Sequence, residues 1–146
     1  MAKKILIEVP QKERAMEYCR ELESGNILFF PKIPFAFPQE EIDFLLQQKQ
    51  GGSKGRKNIA YKPQTALITN HKTPDPEQAK RLQETLQAFS ERASSFLSEI
   101  LAPYAPHWKR DYASFRPFQE QGRKLRVRAR NDLLHVDAFP TRPLHG

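Results

Sequence analysis

Cysteine and long apolar runs are the scarcest features of this 146-residue chain. It contains a single cysteine, Cys19, so an internal disulfide is excluded. No segment approaches the roughly 20 consecutive apolar residues that span a bilayer. The apolar stretch after Lys4 is about five residues long, and Glu8 interrupts it, whereas a secretory signal needs about 7–15. These absences favour a cytoplasmic protein without a membrane anchor of its own.

Several familiar binding patterns are also missing. The glycine-rich stretch "GGSKGRKN" (51–58) does not have the spacing of a P-loop. It predicts a mobile surface loop or, alternatively, a flap that contacts a phosphate or carboxylate. Zinc-finger spacing, a helix-turn-helix pattern and an RNP-like block are absent. Because Cys19 falls within a predicted amphipathic helix, we interpret it as an inert, at least half-buried thiol rather than a nucleophile.

The charge balance is basic, with 24 Lys and Arg against 17 Asp and Glu and a net charge of +7. This charge fits nucleic acid, a phosphorylated lipid surface or a small acidic substrate, or simply a basic surface without a specific partner. The length and the hydrophobic fraction of 38% indicate one soluble globular domain with a core.

Hydrophobic periodicity and helix-end signals predict three helices. One covers 11–23, with Ala15, Met16, Cys19 and Leu22 on one side and Gly25 beyond its C-terminus. The second covers 38–50. The third begins with Asp75 as N-cap and Pro76 at its first position, and continues for about seven turns until Pro103. Its apolar stripe indicates core packing.

Alternating and β-rich stretches predict the strands. They lie at 3–9, 26–30, 59–69 with an interruption at Pro63, near 111–116, and at 123–130. The proline-rich stretch at 31–38 is expected to be a turn or an extended segment. Helices and strands together indicate an α+β fold within one domain.

His135 and Asp137 stand two residues apart near the C-terminal end. On a strand, side chains at i and i+2 point to the same side, so an imidazole and a carboxylate can meet one metal ion. This donor pair suits Fe(II), Mn(II) or Zn(II). Taken alone, the spacing is equally compatible with two ordinary polar residues.

The residues around this pair are more specific. The segment "RNDLLHVDAFPTRPLHG" (130–146) closely resembles the signature of the Kdo hydroxylases, Fe(II)/2-oxoglutarate-dependent dioxygenases that hydroxylate 3-deoxy-D-manno-oct-2-ulosonic acid (Kdo). "GNILFFPKIPF" (25–35), "GRKNIAYKP" (55–63) and "YASFRPF" (112–118) resemble upstream blocks of the same family, in the same order.

The resemblance implies a double-stranded β-helix of the jelly-roll or cupin type, with N-terminal helices packed on it. His135 and Asp137 would then be the first two iron ligands, and 2-oxoglutarate and dioxygen would be co-substrates. The substrate would be Kdo-lipid A, hydroxylated at carbon 3 in the lipopolysaccharide inner core. Such an enzyme would be cytoplasmic, with transient contact at the inner-membrane surface and no nucleic-acid partner.

Arg126, Arg128, Arg130 and Arg142 stand near the His-x-Asp pair. Guanidinium groups bind carboxylates and phosphates in a bidentate manner, and Kdo and lipid A carry both. The arginines are therefore candidate substrate-binding residues, although three of them would equally form a solvated strand face.

One departure from the family pattern concerns the third iron ligand and the basic residue that clamps the far carboxylate of 2-oxoglutarate. The resemblance places both well downstream of Asp137, and the clamp is expected beyond Gly146, the last residue of the sequence. His145 is a poor candidate for the third ligand because two prolines separate it from the pair.

The remaining histidines, His71 and His107, lie upstream and are expected to be surface or hydrogen-bonded side chains. The sequence is therefore expected to be the N-terminal part of a dioxygenase domain, with a helix-rich part (1–103) and an incomplete β-helix (104–146).

Two rival interpretations remain open from the sequence. A nucleic-acid-binding protein would explain the net charge and the arginine-rich stretch "RKLRVRAR" (123–130), and would show salt-dependent binding of DNA or RNA. A non-catalytic structural fragment would expose strand edges and tend to aggregate.

The first prediction concerns the activity of the polypeptide by itself. A metal site with two protein ligands binds iron weakly, so we expect the 146-residue chain alone to show no Kdo hydroxylase activity. The measurement is succinate formation in the presence of Fe(II), 2-oxoglutarate and Kdo-lipid A. Succinate formation coupled to Kdo turnover would contradict the expectation.

Overall fold

The computed structural model describes residues 2–51 and 58–117, which form helices and two small sheets. In chain order the elements are β1 (Lys4–Leu6), α1 (Ala15–Glu23), β2 (Ile27–Phe29), α2 (Gln39–Leu46), β3 (Ile59–Lys62), β4 (Leu67–Thr69), α3 (Pro76–Ile100) and β5 (Ala113–Phe115). This mixture confirms the α+β class. The double-stranded β-helix expected from 104 onward falls mostly outside the described residues. No helix within the described ranges is long and apolar enough to cross a bilayer.

The N-terminal unit is a β-α-β arrangement. β1 and β2 pair in parallel, with Ile5 opposite Leu28, and α1 makes the crossover that parallel strands require. Gly25 follows α1 with a φ of 77°, a conformation that suits glycine. Its N–H donates to the carbonyl of Leu22. The predicted glycine after this helix is therefore confirmed.

The buried side of α1 differs from the predicted one. Met16 was expected on it but is 55% exposed, whereas Tyr18 is only 1% exposed. The buried positions are Ala15, Tyr18 and Cys19, which follow the i, i+3, i+4 spacing of one helix face. Tyr18 was not among the predicted positions; its hydroxyl accepts a hydrogen bond from the Gln11 N–H at 3.3 Å.

The predicted strand at 59–69 is a hairpin broken at Pro63, as the proline suggested. β3 and β4 are antiparallel, with Lys62 opposite Leu67. The Thr65 N–H donates to the Lys62 carbonyl at 3.2 Å and closes the turn. β5 pairs antiparallel with the other side of β3. The sheet order is β4-β3-β5, so β3 is central, and all of its first three residues are buried.

The beginning of α3 is as the sequence predicts. The Asp75 carboxylate accepts a hydrogen bond from the Glu77 N–H at 3.0 Å, and Pro76 occupies the first helical position. Such a cap satisfies one of the backbone N–H groups that lack a partner within the helix. The helix has 25 residues, which is about seven turns.

α3 contributes to both hydrophobic cores. The sheet core lies between α3, α2 and the three-stranded sheet, and it consists of Phe44, Leu45, Ile59, Tyr61, Leu82, Leu86 and Ala113. The N-terminal core contains Ile7, Tyr18 and Ile100, and Ile100 is the last residue of α3. One helix therefore fixes the position of the sheet relative to the β-α-β unit.

Phenylalanines of the segment 30–37, which overlaps the proline-rich stretch, connect these cores along α3. The ring of Phe30 meets that of Phe96 edge to face at 5.4 Å, and Phe35 lies between Phe96 and Phe89. Phe37 stacks on Phe89 at 5.2 Å. Aromatic pairs at these distances contribute about 0.5–1.5 kcal/mol beyond the area they bury. The predicted extended segment is thus held against the helix by its aromatic residues.

The second prediction tests the sheet core. Leu82 is 0% exposed, so Leu82→Ala should lower the free energy of unfolding by about 2–5 kcal/mol because it leaves a cavity. Leu46→Ala is the matched control, since Leu46 is 63% exposed and its truncation should cost well under about 1 kcal/mol. Urea denaturation followed by circular dichroism measures both. Equal effects of the two substitutions would contradict the assignment of the core.

Candidate functional site

The predicted metal ligands and arginines cannot be placed relative to the fold. These residues, like His145, lie outside the described part of the chain. The metal ligands are His135 and Asp137, and the arginines are Arg126, Arg128, Arg130 and Arg142. Pro117 is the last described residue before them. The described element nearest to them in sequence is therefore β5, and β5 pairs with β3.

The residue expected to bind the far carboxylate of 2-oxoglutarate cannot be placed relative to the fold either. It was predicted to lie beyond Gly146, and Gly146 itself is outside the described residues. No described residue therefore tests this expectation, and both the clamp and the third iron ligand stay predictions.

A cluster of hydrogen-bonded polar side chains lies where β3 begins and β5 ends. We call this cluster, made of Asn58, Asn70, Ser114 and Arg116, the polar end of the sheet. The Arg116 guanidinium donates through Nε to Asn58 Oδ1 at 3.2 Å, and Asn70 Nδ2 donates to the Asn58 carbonyl at 3.1 Å. Asn58 Nδ2 also approaches Ser114 Oγ at 3.5 Å. Asn58 is thus the common partner of the other three side chains.

Backbone alternation explains why these polar residues share one face. Ile59 and Tyr61 of β3 belong to the sheet core, so their neighbours Asn58 and Ala60 point to the opposite side. Ser114 lies opposite Ala60 in the ladder and therefore points the same way. The sheet consequently separates a hydrophobic face against α3 from a face that presents polar groups.

The polar end joins two of the blocks that resemble the Kdo hydroxylases. Asn58 belongs to "GRKNIAYKP" and Arg116 to "YASFRPF", and they are 58 residues apart in sequence. The sequence-based list of site residues contained neither. Their sequence blocks contain other polar residues as well, so no local signal marks these two, and only the pairing of β3 with β5 shows that they meet.

Amide, hydroxyl and guanidinium groups together form a set of donors that suits carboxylates and sugar hydroxyls. Arg116 is half-buried, and the hydrogen bond to Asn58 orients its side chain. An oriented guanidinium loses less conformational freedom on binding an anion than a free one does.

A separate cavity of about 550 Å³ lies at the beginning of α3. Its lining contains Lys49, Lys72 and Arg81, but also Asp75 and Glu77. The Arg81 guanidinium is already paired with Glu40 at 3.3 Å and Glu41 at 3.4 Å. The charges around this cavity are therefore nearly balanced, and they do not favour an anionic ligand.

The two upstream histidines occupy different environments. His71 is half-buried, and its Nδ1 accepts a hydrogen bond from the Thr73 N–H at 3.3 Å. His107 is exposed. Both observations agree with the expectation that these residues are hydrogen-bonded or on the surface. Within residues 2–51 and 58–117, no three His, Cys, Asp or Glu side chains are close enough to hold a metal ion.

Cys19 lies in the interior, as its position in the predicted helix suggested. It is buried, and burial raises the pKa of the Cys19 thiol because the thiolate would lose its hydration. Nearby, the Tyr104 hydroxyl donates to Glu23 Oε1 at 2.9 Å, and this hydrogen bond to a carboxylate raises the pKa of Tyr104 to about 12. Cys19 is therefore a packing residue rather than a nucleophile.

The chain was compared with protein families, curated proteins and solved structures. A family model described as 3-deoxy-D-manno-oct-2-ulosonic acid (Kdo) hydroxylase matches residues 7–146, which includes all four blocks quoted above. No curated protein and no solved structure matches the chain.

The third prediction concerns the accessibility of Cys19. The native protein should react with a thiol-specific reagent at least about tenfold more slowly than the urea-unfolded chain, because the thiol is buried and protonated. A Cys19→Ala/Met16→Cys variant carries its thiol at an exposed position of the same helix and should react rapidly when folded. Absorbance of the released reagent anion follows the reaction. Rapid labelling of native wild-type protein would contradict the burial.

Proposed function

The chain belongs to the Kdo hydroxylase family, whose substrate is a sugar acid of lipopolysaccharide; from this premise we propose that it takes part in hydroxylating Kdo at carbon 3 in Kdo-lipid A. The observation that carries the proposal is the extent of the family match, which covers the chain from residue 7 to residue 146. The matched region includes the His-x-Asp segment. The His-x-Asp segment therefore lies within the range that the family model matches.

In this proposal His135 and Asp137 are the first two ligands of Fe(II). The supporting argument is chemical, since an imidazole and a carboxylate at i and i+2 form two of the three ligands of a facial iron site. Bound iron, with 2-oxoglutarate and dioxygen as co-substrates, would supply the oxidation that turns a C–H bond into a C–OH bond. The protein's part is to hold the target carbon close and to keep water away.

The proposed fold around the iron is the double-stranded β-helix. The support comes from the three-stranded sheet, because antiparallel pairing is the arrangement from which jelly rolls are built. Two family blocks already pair within it as β3 and β5. α3 covers one face of this sheet, as the proposed packing of N-terminal helices on the β-helix requires.

We propose that Arg116 contributes to binding the acidic substrate. Its guanidinium is oriented by Asn58 Oδ1. Among the described residues, only Pro117 lies nearer in sequence to the C-terminal segment 130–146. Arg126, Arg128, Arg130 and Arg142 are proposed to serve the same purpose. Together they would pair with the carboxylate of Kdo and the phosphates of lipid A.

The proposed location is the cytoplasm, with peripheral contact at the inner membrane. The argument is that the acceptor, Kdo-lipid A, is anchored in a bilayer by its acyl chains. An enzyme acting on its sugar must approach the membrane surface, and the net charge of +7 favours approach to an anionic one.

The fourth prediction tests the function in the organism that carries the gene. Deleting the natural coding region should remove one oxygen atom from the Kdo of its lipopolysaccharide, because the hydroxylation no longer occurs. Mass spectrometry of the Kdo-lipid A fraction measures this loss. An unchanged mass after deletion would overturn the proposed function.

Complementation of the deletion strain tests the roles proposed for individual residues. The natural coding region should restore the hydroxyl group, whereas the same region with His135→Ala or Asp137→Ala should restore less than about 1% of it, since a metal ligand is lost. His107→Ala is the matched control because His107 is exposed and outside the proposed site. Arg116→Ala should reduce the hydroxylated fraction without abolishing it. Full restoration by Asp137→Ala would remove this residue from the metal site.

A further inference from the structure

The end of the sheet opposite the polar end has a different character. One row of side chains across the solvent-facing side contains Leu67 of β4, Lys62 of β3 and Tyr112 just before β5. Leu67 and Lys62 are directly opposite each other in the ladder, and Lys62 Nζ lies 5.4 Å from the centre of the Tyr112 ring. Leu67 is 57% exposed and Tyr112 is 53% exposed. The row is therefore an apolar and cationic strip that faces water.

A groove continues this strip around the edge of the sheet. It has a volume of about 270 Å³ and runs between α3 and the segment 108–112. Phe89, Ala93 and Leu97 of α3 form its apolar side, and Trp108 and Tyr112 line the other. Because Tyr112 belongs both to the groove and to the strip, the two surfaces are continuous.

The charges on this surface are mainly positive. Lys62, Lys109 and Arg110 contribute three cations, against one carboxylate from Asp111. Lys109 and Arg110 are exposed. Gln64 Nε2, in the β3–β4 turn, donates to the Arg110 carbonyl at 2.7 Å. This hydrogen bond links the turn directly to the segment 108–112.

We propose that this amphipathic face, defined as Lys62, Leu67, Trp108, Lys109, Arg110 and Tyr112, docks the protein on the surface of an anionic phospholipid bilayer. Trp and Tyr prefer the depth at which headgroups meet acyl chains, because their rings are apolar and their tips are polar. Lys and Arg beside them would pair with lipid phosphates, while Leu67 and the groove would take up apolar contacts. This inference deepens the proposed function. It rests on that function in one respect, because an enzyme that acts on Kdo-lipid A has to approach a membrane.

The combination of groups favours a bilayer over nucleic acid. A nucleic-acid surface needs cations along a track, with aromatic rings available for base stacking. Here Tyr112 has its ring beside Lys62, and an exposed aliphatic side chain, Leu67, stands in the same row. Aliphatic groups gain nothing from a phosphate backbone, but they gain free energy when they enter the interfacial region of a bilayer.

The fifth prediction is a vesicle co-sedimentation experiment with the purified chain. It should bind vesicles of phosphatidylglycerol and phosphatidylcholine at least about tenfold more strongly than vesicles of phosphatidylcholine alone, and binding should fall as salt rises. Lys109→Glu/Arg110→Glu should weaken binding to the anionic vesicles by about tenfold or more. Leu67→Asn should weaken it about threefold, because one apolar contact is lost.

The matched control is Lys12→Glu/Arg20→Glu, which changes the net charge equally at exposed positions near α1 and should alter binding less than about threefold. Circular dichroism and thermal melting verify that each variant is folded. Equal binding by the two double variants would overturn the proposal, as would equal binding to neutral vesicles. Binding of single-stranded DNA through Lys109 and Arg110 without vesicle binding would also overturn it. None of these outcomes alters the test of hydroxylation, which is read from lipopolysaccharide mass after gene deletion.

Discussion

The burial of one face of α3 is the interaction on which the rest of the structure depends. Leu82 and Leu86 fill the sheet core near the beginning of the helix, and Ile100 closes the N-terminal core at its end. Between them, Phe89 and Phe96 receive the rings of the proline-rich segment. A small domain has limited apolar area to bury, and sharing one long helix between two cores lets short strands of three or four residues be stable. Because the inward face of the sheet packs against α3 and α2, its outward face carries the polar and cationic groups.

Much of the fold could be predicted because local signals determine it. Asp75 and Pro76 mark the start of α3, Gly25 marks the end of α1, and Pro63 marks a break in a strand; each acts through backbone chemistry within a few residues. Met16 was expected on the buried face of α1 because its side chain is apolar. Tyr18 fits the i, i+3, i+4 spacing from Ala15 and Cys19, and its ring packs in the N-terminal core.

The candidate site residues also differ in this respect: some can be recognised from neighbouring sequence, and others only from strand pairing. The His135 and Asp137 pair is recognisable because its two members are close in sequence and stand in a long family-like block. Asn58 and Arg116 were missed because their relationship exists only across the β3–β5 ladder, 58 residues apart. Periodicity assigns each to a strand end but does not say which strands are neighbours.

The central position of β3 has a consequence for synthesis on the ribosome. β3 can pair with β4 as soon as the hairpin is made, because only a short turn separates them. Its other edge must wait for β5, since Asn58 and Ser114 are 56 residues apart and the whole of α3 is made in between. Contacts that close such a long loop form late. During this interval the nascent chain carries an open β edge beside the apolar stripe of α3, so β5 completes the sheet and also ends the period in which that edge can pair with another chain.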